Sequence, residues 1–134
     1  MDFTKYKTND GMTWYNTGKG NPILVLHGFG IDPKNYNLID RLAETNEIIA
    51  PRTAGFTKDK SIDNITERIE NFLEKEIKAD GFDSIYSHSI GGAITANLLN
   101  DKTYTDNNVM VSPVERVDYN GNELLMRGLK DFIM

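Results

Sequence analysis

Two short stretches of this 134-residue sequence gather residue types that can do chemistry. In Ser87-His88-Ser89-Ile90-Gly91-Gly92, a serine follows a stretch at 83–87 that reads as a strand and precedes Ile90–Asn100, which reads as a helix. Ser89 therefore stands on a sharp strand-to-helix turn, the place of a nucleophile elbow. Such an elbow needs small residues two before and two after the serine, because its backbone brings neighbouring chains close. Gly91 meets that demand, and Ser87 is small without being glycine. The helix beginning at Ile90 aims unsatisfied N–H groups and a positive dipole end at any charge forming on the serine oxygen. Upstream, His27-Gly28-Phe29-Gly30 closes the run Ile23-Leu24-Val25-Leu26, so the Phe29 N–H falls at the same sheet edge as Ser89. Phe29 and Ile90 are thus candidate oxyanion donors, and the chemistry they suit is acyl transfer through a serine.

The elements that must position these residues follow from hydrophobic spacing. Asn9-Asp10-Gly11 predicts a hairpin turn between strands Phe3–Thr8 and Met12–Thr17. Ile23–Leu26 reads as a central strand, Asp32-Pro33 as the start of a helix reaching about Thr45, and Glu47–Pro51 as the next strand. Ile62, Ile65, Ile69, Phe72, Leu73 and Ile77 keep helical spacing and predict a helix over about 61–79, with Asn64 and Glu67 as a capping-box-like start. Asp83–Ser87 and Val109–Val111 read as strands, and Leu124, Leu125, Leu129, Phe132 and Ile133 as a helical tail interrupted by Gly128. Strands alternating with helices predict an α/β fold, a mostly parallel sheet with helices on both faces behind an antiparallel hairpin.

Composition removes several function classes. The balance of 15 basic against 20 acidic residues, a net charge of −5, disfavours a nucleic-acid partner, which would need clustered Lys and Arg. With no cysteine, disulfides, thiolate metal sites and cysteine nucleophiles are excluded. No metal site stands out, and Gly28 and Gly30 lack the third glycine and acidic partner of a dinucleotide loop, so no cofactor is expected. The longest aliphatic run is too short to span a membrane and the N-terminus has no apolar signal region, so the expectation is a cytoplasmic protein without a membrane partner.

Taken with Ile48-Ile49-Ala50-Pro51-Arg52-Thr53-Ala54-Gly55-Phe56, the two stretches resemble the α/β-hydrolase superfamily, in particular its esterase and lipase branch. The resemblance runs from Met12 to about Val114 and implies Ser89 as nucleophile and the Phe29 and Ile90 amides as oxyanion hole. It implies one domain over residues 1–134 that lacks the usual C-terminal strands, a truncated hydrolase core. Two departures are local: Ser87 replaces the elbow's first glycine, and Arg52 stands where the family commonly has an aspartate. A third bears on chemistry, because the family's base and acid follow later strands and no histidine follows His88. Losing the histidine of a serine triad costs on the order of 10⁶ in turnover, so the chain alone is expected to be slow.

Two readings of His27 follow: support of the oxyanion loop, its usual use in the family, and substitute base within reach of Ser89. His88 is expected to turn away from the site and pack. Glu115 and Asp118 follow the last strand, and Asp118 is the candidate acid. Phe29, Tyr36 and Phe56 either line an acyl pocket or pack locally. The expected partner is a small ester or acyl substrate, with a homo-oligomer or a complementing C-terminal chain covering the unfinished sheet. The alternative reading is a non-catalytic binding module on the same scaffold.

Overall fold

The structure, a computed structural model, describes residues 2–77, 81–102, 104–105, 107–111, 116–120 and 123–127, the last two stretches as backbone only. Strands β1 (Thr4–Lys7) and β2 (Thr13–Thr17) form the antiparallel hairpin, followed by β3 (Asn21–Leu26), α1 (Asn37–Leu42) and β4 (Asn46–Pro51). Then come α2 (Ile62–Phe72), β5 (Ser84–His88), α3 (Ile90–Asp101), β6 (Asn108–Val111), β7 (Arg116–Asn120) and β8 (Glu123–Arg127). The main sheet runs β1-β2-β4-β3-β5-β6, and all its pairs from β4 to β6 are parallel. This is the α/β class expected from the sequence.

Central strand β3 shows how the core is divided. Its alternate residues Leu24 and Leu26 pack with Ile65, Ile69, Phe72, Ile90 and Ile94 of α2 and α3, whereas Ile23 and Val25 pack with Ile39 and Ala43 on the α1 side. A strand covered on both faces must be apolar at every position, and each such side chain contributes roughly 1.5–3 kcal/mol relative to exposure. The chain leaves β3 toward one face, through α1, and β5 toward the other, through α3. Between them lies the carboxyl-edge crevice where open α/β sheets bind ligands. At the far edge, β6 exposes Val109, Met110 and Val111.

Three local expectations change. The predicted helix from Asp32 is two pieces, a 3₁₀ turn at Pro33–Asn35 and then α1, because Tyr36 between them is extended at φ −79° and ψ 113°. α2 is capped by Ser61, whose side chain accepts from the Asn64 N–H, and it widens into a π turn over Leu73–Ile77. The tail is corrected most: Leu124 and Leu125 lie in β8, paired antiparallel with β7, not in a helix. Asn120 opposes Glu123 at the last position of that register. Gly128, Leu129, Phe132 and Ile133 lie outside the described residues.

Candidate active site

Ser89 is the only non-glycine residue with positive φ among those described, at φ 56° and ψ −120°. That conformation costs on the order of 1–3 kcal/mol and persists only where the surroundings over-determine it. Here they do. The Ser89 N–H donates to Val111 O at 3.0 Å, its carbonyl accepts from Gly92 N–H at 2.9 Å, and α3 begins at the next residue. A Cβ on Gly91 would lie 2.2 Å from Leu26 O, so the first turn of α3 rests directly on the end of β3. Only glycine permits that approach, and it brings Ser89 and Ile90 beside the loop that starts at His27. Oγ of Ser89 makes no hydrogen bond among the described residues, nor does the hydroxyl of Ser87, which is completely buried. An orphaned hydroxyl costs about 1–3 kcal/mol, a penalty that glycine at position 87 would not carry.

The neighbouring loop is fixed by its peptide planes. Thr53 N–H donates to His27 Nε2 at 2.8 Å, which leaves the ring proton on Nδ1, directed at Gly28 O 2.5 Å away. Gly28 O also accepts from Ile31 N–H at 3.2 Å. Because a trans peptide is planar, holding Gly28 O aims the Phe29 N–H the opposite way. Neither that N–H nor the Ile90 N–H has an acceptor among the described residues, the condition a donor pair for a developing oxyanion must meet. The loop leans on the segment after β4 through Gly30 N–H to Ala54 O, 2.8 Å.

Both ring nitrogens of His27, the candidate substitute base, are engaged by backbone and the residue is 1% exposed, an arrangement that suits its other reading as support of the loop. Burial also holds its pKa down, at about 4. His88 does not simply turn away. Its ring lies against Gly28, and its Nδ1 is 3.0 Å from Tyr36 Oη, which accepts the Gly28 N–H at 2.7 Å. Phe56 packs edge-on against His27 beneath the Arg52 guanidinium, 4.0 Å above its ring, and Phe29 is exposed. Arg52 Nε lies 3.3 Å from Asp32 Oδ2 but out of line for a hydrogen bond, so the contact is an ion pair bracing two loops. Asp118 lies in β7 opposite Leu125, and Glu115 is outside the described residues. No signal in the sequence announced Thr53 or Asp32 as parts of this cluster.

Among the described residues no cluster of His, Cys, Asp and Glu could hold a metal ion, and no helix is long and apolar enough to cross a membrane. A serine on the turn after β5, a glycine loop after β3 and this strand order define the N-terminal part of an α/β-hydrolase core. Among solved structures, an α/β superfamily hydrolase from Oenococcus oeni PSU-1 is 26% identical with a TM-score of 0.68, covering 84% of this chain and 45% of that one. The α/β hydrolase MGS-MChE2, from a metagenome of Mar Chica lagoon sediments, shares 17% identity at a TM-score of 0.68, covering 97% of this chain and 56% of its own. In sequence, Lipase 1 of Psychrobacter immobilis is 32% identical over 96 residues, 66% of this chain and 30% of the lipase. No family model matches the chain. The chain thus spans little more than half of the length of these proteins, or less.

Proposed function

We propose that the protein is a serine hydrolase acting on a carboxylic ester or similar small acyl substrate through an acyl-enzyme on Ser89. The observation that carries this reading is Ser89 held at positive φ at the head of α3, beside a loop whose Phe29 N–H is aimed and unpartnered. In the reaction Ser89 Oγ attacks the acyl carbon and its proton passes to a base. The carbonyl oxygen takes the negative charge against the Phe29 and Ile90 N–H groups, the alcohol leaves with a proton, and water releases the acid. The base is not His27. It is supplied from outside this cluster, and without it turnover is slow.

A second reading, a binding module that holds an acyl ligand without turnover, is favoured by one observation: His27 has no nitrogen free to act as base. Intact-mass analysis after a fluorophosphonate probe separates the two, since Ser89 Oγ bonding to phosphorus expels fluoride only if the serine is activated. One adduct per chain, absent in Ser89→Ala, is the expected result. An equal adduct on Ser89→Ala overturns Ser89 as nucleophile, and no adduct together with saturable ligand binding transfers the case to the second reading.

A further inference from the structure

We infer that Tyr36 is a positioning residue whose hydroxyl ties the nucleophile strand to the oxyanion loop, through His88 on one side and the Gly28 N–H on the other. The inference rests on the serine-hydrolase reading and deepens it.

Gly28 is buried, and its N–H must find an acceptor. It finds Tyr36 Oη at 2.7 Å. The phenol's own proton then needs an acceptor, and His88 Nδ1 at 3.0 Å is the one among the described residues, which places the His88 ring proton on Nε2. A single oxygen thus joins the residue preceding Ser89 to the residue preceding Phe29. The two peptide planes meeting at Gly28 are held from opposite ends: Tyr36 grips the plane before it by N–H, and the His27 ring grips the plane after it by C=O. Without the first grip the second plane can still pivot about Gly28, whose lack of a side chain is enforced by the His88 ring, 2.7 Å from where a Cβ would stand.

The break between the 3₁₀ turn and α1 belongs to the same device. A continuous helix from Pro33 would give Tyr36 helical angles, whereas its extended backbone is the one from which this side chain spans to β5. A purely structural use of Tyr36 would rest on its ring, which meets His88 edge-on at 5.6 Å and 75°. The hydroxyl is separable from that contact, so Tyr36→Phe removes the tie and keeps the packing.

The test is saturation labelling of native and Tyr36→Phe protein with the fluorophosphonate probe, alongside thermal melting and amide hydrogen exchange at Gly28. The limiting labelling rate is expected to fall about ten-fold, less than the 10²–10³ lost with a whole oxyanion donor. Half-saturation by the probe should be unchanged, and Gly28 should lose exchange protection. Equal limiting rates in a native protein that labels would overturn the tie and leave the hydrolase reading standing. If the native protein does not label, that reading fails, and Gly28 exchange decides the tie alone: equal protection in both proteins overturns it. Should Tyr36→Phe not melt cooperatively, His88→Phe, which keeps a ring and removes the Nδ1 acceptor, carries the same comparison.

Discussion

Two regions of the molecule gather polar groups, and they do it in opposite ways. At the carboxyl edge of the sheet the groups that hold Gly28 are uncharged, largely buried and bonded to backbone, His27 to Thr53 and Gly28 and Tyr36 to Gly28, with the Arg52–Asp32 ion pair bracing the loops beside them. Where the hairpin meets α2 they are charged and bonded to one another. Arg68 pairs with Asp59 and, at 2.6 Å, with Asp10, which also accepts from the Thr8 hydroxyl. This second cluster borders a cavity of about 500 Å³ lined also by Met12 and Phe72. Neutral groups bonded to backbone fix the direction of peptide dipoles, which is what stabilising a transient charge requires. Charged side chains paired with one another mainly pin one element to another, and solvent takes most of the energy where a partner is exposed, as Asp10 is.

The widest contrast is expected from two glycines. A Cβ at Gly91 meets backbone at 2.2 Å, so Gly91→Ala must push α3 off β3 and is expected to destabilise by more than about 3 kcal/mol. At Gly11, in the hairpin, φ is +91° but nothing lies within 4 Å, so Gly11→Ala should cost only about 1–2 kcal/mol of backbone strain. Urea denaturation of both variants measures this, and equal losses would break the distinction between a packed elbow and an open turn.

Next in size is a pH effect that belongs to the first region alone. His27 is buried and its pKa is lowered to about 4 from 6.5, by desolvation first. Between those values the unfolded chain binds a proton that the folded chain does not, so stability is full above about pH 6.5 and falls as pH is lowered toward 4. At about 1.36 kcal/mol per unit, the whole descent is on the order of 3 kcal/mol. Denaturation at stepped pH should show it, and should show that portion of the slope missing in His27→Gln. A His27→Gln protein with the native slope would mean that the titrating group lies elsewhere.

The two regions also differ in how far their sequence discloses them. The elbow was legible because it is local: a serine between small residues, a strand before it and an apolar helix after it. The loop after β3 was legible to the extent of its glycines. The bonds that aim it were not, since Thr53 and His27, or Tyr36 and His88, meet only once β3, β4 and β5 lie side by side, and no spacing along the chain encodes that. His27 looked available as a base for the same reason, its two backbone partners being invisible until the loops close. The tail shows the opposite failure. Leu124 and Leu125 are too short an apolar run to carry a period, so their spacing from Leu129 suggests a helix where the backbone forms β8.

The smallest effect is expected within the charged corner, at Asp10, and its contrast with Arg68 sharpens the comparison from inside. The Arg68 and Asp59 side chains are 13% and 14% exposed, whereas Asp10 is 56% exposed. Arg68→Met leaves the Asp59 carboxylate mostly buried without this cation, and losing a hydrogen bond to a charged group of that kind costs about 1.5–3 kcal/mol. Asp10 is different in cause as well as exposure. Its carboxyl is held below the usual value chiefly by the Thr8 hydroxyl, and by Arg68 to a smaller degree, against desolvation. Asp10→Asn keeps an oxygen that accepts from Thr8 and gives up only the charge toward Arg68, so the loss should stay below about 0.5 kcal/mol and vanish in high salt. Denaturation of both variants at low and high ionic strength decides it. An Asp10→Asn loss as large as that of Arg68→Met, and insensitive to salt, would mean that the corner is bound as rigidly as the loop cluster and that the contrast between the two regions is one of charge alone.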